Sequence, residues 1–297
     1  MDPDRYCVDL AAPPGSSLHY ATLWAGARER SAIIAVHALR HSLVAIIETI
    51  ADSHVRAMKL NWWSGEILNA RDGHPHHPVS VAMARHCTER IWHRAEVLAM
   101  FAAVAHASTE DGFASETARD EFCGHVGGGT ARLCMATAGN DAPGEVGEVG
   151  EVGEIDTLGA ALERALLAGT PNARSGMQRI PTSTSESPLG LEHGDPDVGP
   201  DPIIEERTRA HRALAEAVRD MPRRTEPAVL VYRALARLRL AALAAALRKP
   251  AGGGASTASI SPVRKLWIAW RASRETEHDE PVNPARRERR DGRIGPG

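Results

Sequence analysis

Between Ala27 and Ile50 the apolar side chains Ile33, Val36, Leu39, Leu43, Ile46, Ile47 and Ile50 recur every three or four residues. That spacing predicts one long helix with a buried face. A second stripe, Arg30, His37, His41 and Glu48, runs beside it. At about 100° per residue these four fall within roughly 40° of one another, and Val44 lies on the same stripe one turn before Glu48. Two readings of the stripe stand together: a solvated helix face, or a polar wall lining a cavity between helices. Similar periodicity predicts helices near 54–70, 79–106, 115–138, 203–221 and 227–247, and a last apolar turn over 263–270. Ser16 or Ser17 is a fitting N-cap for a short helix through Trp24. Residues 1–15 read as an irregular lead-in ending at Pro13, Pro14 and Gly15. Few segments alternate apolar with polar residues and only 4% of the chain is aromatic, so the predicted class is all-α.

The interruptions define the organisation. Gly73-His74-Pro75-His76-His77-Pro78 ends one helix and prepares the next. GEVGEVGEVGE, residues 144–154, is a tandem repeat of period three. Glycine at every third position disfavours a helix, which predicts a surface loop over 140–156. A second low-complexity loop, rich in Ser, Thr, Pro, Gly and Asp, is expected over 182–202. Neither insert separates self-sufficient patterns, so residues 1–272 are expected to form one domain. The charged stretch 273–297 reads as a disordered tail.

Bulk properties then remove several function classes. A chain of 297 residues with net charge −3 lacks the basic balance of a general nucleic-acid binder. Cys7, Cys87, Cys123 and Cys134 form no CxxC pair, and the acidic N-terminus has no hydrophobic segment of the secretory type. Reduced thiols in the cytoplasm are therefore expected. No run of about 18 uncharged apolar residues predicts a membrane span. Three lysines stand among the 35 basic residues, a bias of coding background more than of function.

Local clusters offer little chemistry on their own. The three histidines of the 73–78 loop have no cysteine or carboxylate at a recognised metal-ligand spacing, so a plain interhelical loop is the simpler reading. Trp62 and Trp63 could floor a ligand or partner site, but tryptophans on an amphipathic helix are more often core and boundary packing. Cys123 and His125 in FCGHVGGGTARLC point apart on a helix, which argues against a catalytic Cys–His pair. Gly127-Gly128-Gly129 lacks a preceding strand and a following Gly-Lys-Ser/Thr, so close helix packing explains it better than phosphate binding.

In order, several segments resemble the squalene/phytoene synthase family. SSLHYATLWAGARERSAIIAVHAL (16–39) is similar to its opening helices, and MKLNWWSGEI (58–67) to its Arg/Lys-x-x-Trp-Trp segment. FCGHVGG (122–128) resembles its Tyr-Cys-x-x-Val-Ala-Gly motif, and NARSGMQRIP (172–181) its Asp-Ala-Arg-Arg-Gly-x-x-x-Leu-Pro stretch. YRALARLRLAALAAAL and the terminal LWIAW fit its last helices, so the resemblance spans about residues 4–272. It implies an isoprenoid-synthase-like helical bundle around a central cavity. In active members two aspartate-rich motifs hold Mg²⁺ ions that bind prenyl diphosphates, because a departing diphosphate needs cations to neutralise it.

This chain departs from that pattern. The first acidic motif falls on Val44-Ala45-Ile46-Ile47-Glu48 and retains one acid. Ala168 and Asn172 stand where the main carboxylates of the second would be, and Phe122 replaces the motif tyrosine, while Arg174 remains. The resemblance thus implies a degenerate prenyl-diphosphate pocket built from His37, Arg40, His41, Val44, Glu48, Phe122, Ala168, Asn172 and Arg174, with no metal ligand set and no cofactor. Scaffold without acids is similar to the branch of the family associated with assembly of respiratory complex I. The expectation is a binding or assembly protein engaging a protein partner, a membrane surface at the inner face, or an isoprenoid lipid. Arg233, Arg237 and Arg239 offer a basic surface for such a partner, or an ordinary solvated face. The alternatives are an active Mg²⁺-dependent head-to-head prenyltransferase, its metal site rebuilt from Glu48, Asp52 or Glu66, and an isoprenoid or lipid carrier.

Overall fold

Asp2, Pro3 and Asp4 start the first helix where the sequence pattern predicts irregular chain. The Asp2 side chain accepts a hydrogen bond from the Asp4 backbone N–H, and proline sits in the first turn, where its missing donor costs nothing. This computed structural model describes residues 1–109, 113–137, 149–169, 202–221, 226–248 and 260–274. Within them helix follows helix and no strand occurs. The first four are α1 (Pro3–Ala11), α2 (Ser17–Ala21), α3 (Ala27–Thr49) and α4 (Ser53–Arg71). Ser16 caps α2 by accepting from the His19 N–H, and Asp52 caps α4. Ser16 fits the sequence expectation, and Asp52 is a cap that the sequence reading does not name.

The predicted single helix over 79–106 is instead three pieces. They are α5 (Pro78–His86), a 3₁₀ turn (Glu89–His93) and α6 (Ala95–Ser108). Cys87, Thr88 and Arg94 are extended, and the double bend turns Ile91 and Trp92 into the core, where they are 0% and 2% exposed. Burying an isoleucine and a tryptophan outweighs continuing one helix.

Next come α7 (Glu116–Cys123), a π turn (Gly124–Gly128) and α8 (Gly129–Thr137), in place of the predicted continuous 115–138 helix. The chain then forms α9 (Val149–Gly169), α10 (Pro202–Arg219), α11 (Pro227–Leu247) and α12 (Pro262–Arg274). Helix α9 corrects the loop expected over 140–156, because its first turns run through the second half of the Gly-Glu-Val repeat. Ile155, Leu158, Ala161, Leu162 and Ala165 are buried at helical spacing. That packed face offsets roughly 0.5–1 kcal/mol of helix penalty at each glycine. The rest of that loop, the 182–202 loop and the tail from 275 lie outside the described residues.

Helix α3 is the axis of the bundle. It touches α1, α4, α5, α6, α8 and α11 and buries eleven side chains. Its length and apolarity would suffice to cross a membrane, but most of it is enclosed by these neighbours. The histidine-rich loop is a satisfied connector. Buried Glu66 accepts from the backbone N–H groups of His76 and His77, and His77 Nδ1 accepts from Val79 N–H to cap α5. Trp63 is buried and Trp62 is half-exposed, both edge-on to the His77 ring.

Candidate functional site

Five segments converge on a cavity of about 290 Å³: α3, the π turn, α8, α9 and α11, with Ser16, Ser17 and Leu18 at the start of α2 along one side. Its apolar wall includes Leu18, Leu162, Leu166 and Leu235, and its polar groups are His37, Arg40, His41, Thr130, Glu163, Tyr232 and Arg239. Two glycines bring the walls together. A Cβ on Gly127 would lie 2.2 Å from the Gly159 carbonyl oxygen, and one on Gly159 would lie 2.4 Å from that of Gly127. The glycine run therefore serves close packing of the π turn against α9, as its sequence context predicts. A π turn inside a helix commonly marks a functional cavity.

Arg40 and Glu163 dominate the electrostatics. Arg40 Nε donates to Glu163 Oε2 at 2.9 Å, and Arg40 Nη2 donates to Glu163 Oε1, a two-point pairing of fork and carboxylate. The Glu163 side chain is 2% exposed and that of Arg40 14%. Burial alone would disfavour the Arg40 charge, but the carboxylate more than offsets this and holds the guanidinium above its ordinary value. Glu163 was not among the residues singled out from sequence. Its signal is an acid between Leu162 and Ala165 inside an apolar helical run.

His37 faces the same cavity with its Nε2 buried and without a hydrogen-bond partner. Burial, aided by Arg40, pushes its pKa down from 6.5 to about 3, so the ring is neutral. It lies 5.8 Å from the Tyr232 ring, and the buried Tyr232 hydroxyl contacts Cys134 Sγ at 3.9 Å. His41 is held neutral-leaning in the same way, by burial and then Arg40. Arg239 donates from Nε and Nη2 to the Ala165 carbonyl at 3.0 and 2.5 Å, near the α9 C-terminus. Burial lowers its pKa to about 10.

The remaining expected residues are scattered. Val44 is buried in the α3 core and does not line the cavity. Glu48 is exposed one turn further on; partial burial pushes its carboxyl up, Arg40 pulls it down, and Glu163 pushes it up again. Phe122 is buried and faces a different, alanine-lined groove. Ala168 is buried near the end of α9 and lies outside the cavity lining. Asn172 and Arg174 lie outside the described residues. Arg30 departs from the stripe altogether: it donates to the carbonyls of Thr22, Leu23 and Ala25, tying the turn after α2 to α3. The stripe is thus neither wholly solvated nor wholly a wall. Arg233 is buried, and Arg237 and Arg239 are half-buried, so none of the three forms a solvated face. Among the described residues no three His, Cys, Asp or Glu side chains are grouped as a metal ion requires.

Other expectations fare more simply. Buried Cys123 and exposed His125 form no reactive pair, since burial pushes the thiol up and away from thiolate character. All four cysteines are free and buried.

Comparison with known proteins fits this architecture. A dehydrosqualene synthase crystallised with ligand superposes with a TM-score of 0.65 at 15% identity, over 91% of this chain and 95% of that one. Squalene synthase HpnC from Alicyclobacillus acidocaldarius gives a TM-score of 0.55 at 15% identity, over 84% and 95%. At that identity the likeness establishes the all-α isoprenoid-synthase fold. No curated protein sequence matches. The sequence model of squalene/phytoene synthase matches residues 12–164, from the end of α1 through Glu163 and Arg164. By that match, over more than half its length, the chain belongs to the squalene/phytoene synthase family.

Proposed function

We propose that this member of the family binds a ligand or partner without turning over prenyl diphosphates. The observation that carries the reading is the Arg40–Glu163 pair. The one carboxylate among the described cavity residues is already neutralised by an arginine beside it. Mg²⁺ prefers several hard oxygen ligands in octahedral geometry. Val44 is a buried hydrocarbon and Glu48 stands alone on the exposed turn, so the described donor set does not fit a cluster of such ions. The role in assembly of a respiratory complex rests on the family resemblance of the acid-poor pattern.

A carrier role has an observation of its own. The cavity is apolar on one side; on the other, Arg40 is engaged by Glu163 and Arg239 by the Ala165 carbonyl, and the neutral His37 Nε2 is left without a partner. Such a site suits an isoprenoid or lipid bearing one uncharged polar group better than a diphosphate.

Incubation of the purified protein with farnesyl or geranylgeranyl diphosphate and Mg²⁺ tests the proposal. The expected result is no extractable hydrocarbon product, with Glu48→Gln indistinguishable from the parent. Product formation that Glu48→Gln abolishes would overturn it. Co-purification of respiratory subunits supports the assembly role, and saturable binding of diphosphate-free isoprenoids supports the carrier.

A further inference from the structure

Helix α12 carries a surface that the central cavity does not use. Its inner side is anchored: Ala269 and Ala272 are fully buried, the helix packs on α11 and α2, and Lys265 Nζ donates to the Gly15 carbonyl at 2.7 Å. The opposite side is therefore fixed in direction. It presents Val263, Leu266, Trp267 and Trp270, which are 77%, 44%, 53% and 43% exposed. At about 100° per residue these four share an arc of roughly 100°. The guanidinium groups of Arg271 and Arg274 each lie 5.5 Å from the ring of Trp267 and Trp270, respectively, and Arg264 is exposed near the start of the helix.

We infer that this face of α12 docks in plane on an anionic phospholipid surface. Two exposed tryptophans among aliphatic residues match the boundary between acyl chains and headgroups, where an indole keeps its N–H wet and its ring dry. Arginines whose guanidinium groups lie over those rings bring positive charge to headgroup level beside them. Charge complementarity selects the occupant. Within a chain of net charge −3, residues 260–274 contain Arg264, Lys265, Arg271 and Arg274 and no acid. A local basic helix on an acidic protein seeks a negative surface, and its flat apolar stripe has the shape of a membrane contact. This inference is independent of what the central cavity binds.

Co-sedimentation of the full chain with phospholipid vesicles tests it. Vesicles of phosphatidylcholine are compared with vesicles that also contain phosphatidylglycerol. The expected result is binding to the anionic vesicles that weakens as salt is raised. The double variant Trp267→Ala/Trp270→Ala is expected to lose about tenfold or more in affinity, and Arg264→Glu/Arg274→Glu a similar amount. Trp62→Ala, which removes the half-exposed tryptophan of α4, is expected to bind like the parent. Circular dichroism and thermal melting establish that each variant is folded. Failure to bind anionic vesicles, unchanged binding by both double variants, or a loss seen with Trp62→Ala instead would overturn the inference. A parent that is dimeric without vesicles and becomes monomeric in Trp267→Ala/Trp270→Ala would also overturn it, assigning the face to a second copy.

Discussion

Arg40 on α3 and Glu163 on α9, 123 residues apart in sequence, grip each other across the central cavity. They join the helix that carries the remnant of the first acidic motif to the helix that leads toward the second. The resemblance to active synthases implies cations bridging those two helices. Here a guanidinium links the two helices from within the chain, and the carboxylate beside it balances its charge.

Removing one partner of this pair is expected to be costly. Glu163→Ala leaves a buried guanidinium without its carboxylate and is expected to destabilise the fold by about 3–5 kcal/mol. Replacing both, as Arg40→Met/Glu163→Met, is expected to restore most of that loss, because two well-packed apolar side chains avoid the unpaired charge. Urea unfolding of Arg40→Met, Glu163→Met and the double variant checks this as a thermodynamic cycle, with Glu163→Ala beside them. A double variant no more stable than Glu163→Ala would show that lost packing, not the stranded charge, is responsible.

His37 is expected to make stability depend on pH. Its pKa is depressed from 6.5 to about 3 in the folded chain, chiefly by burial. Above pH 6.5 the ring is neutral folded and unfolded, and the stability it permits is fully present. As pH falls from 6.5 toward 3 the unfolded chain takes up a proton that the folded chain refuses, so stability declines. Arg40 and His41 on α3, Glu163 on α9, and Tyr232 and Arg239 on α11 are the charged and titratable groups that share its cavity, and His41, also depressed, is present in parent and variant alike. Between pH 6.5 and 5, above most carboxylate titration, unfolding free energy is expected to fall more steeply for the parent than for His37→Gln. Equal slopes would mean that the imidazole is not the group responsible.

The α3 periodicity made its helix legible to within a residue of its observed end, since the buried face alone dictates the spacing. The Ser16 cap is an equally local signal. Helix α9 was hidden for the opposite reason. Glycines in the repeat argue locally against a helix, and only packing of Leu158, Leu162 and Ala165 against the bundle reverses the balance. Glu163 lies beyond the expected loop, but no local pattern pairs it with Arg40, 123 residues away. The bends at Cys87 and Arg94 depend likewise on where Ile91 and Trp92 can be buried. At the site itself, sequence identified His37, Arg40 and His41, which do meet in one cavity. It could not separate them from Val44, because adjacent angular positions on one helix can face either the cavity or the core.

That separation bears on any attempt to restore a metal site. Val44 is 1% exposed, inside the α3 core. Val44→Asp is expected to place a carboxyl among hydrocarbon and destabilise the protein by about 2–5 kcal/mol, with the acid remaining protonated. Thermal melting with and without millimolar Mg²⁺ reads the outcome. The melting temperature is expected to fall and to stay insensitive to Mg²⁺; a Mg²⁺-dependent rise would mean that the substituted acid reaches a cation site.

Gly127 and Gly159 offer the sharpest test of how the cavity is shaped. Each would place a Cβ within 2.4 Å of the other's carbonyl oxygen, and the obstacle is backbone, which cannot rotate away as a side chain can. Gly159→Ala must therefore push α9 from the π turn, and Glu163, one helical turn further along, moves with it. The expected result is a loss of about 1–3 kcal/mol in stability. Because Arg40 and Glu163 would be drawn apart, Gly159→Ala and Glu163→Ala should not add: in the double variant the second change costs less than it does alone. Gly153→Ala, on the same helix with open space at its Cβ, is the control and is expected to be neutral or stabilising by about 0.5–1 kcal/mol. Strict additivity of Gly159→Ala with Glu163→Ala would mean that the close crossing and the ion pair are energetically separate.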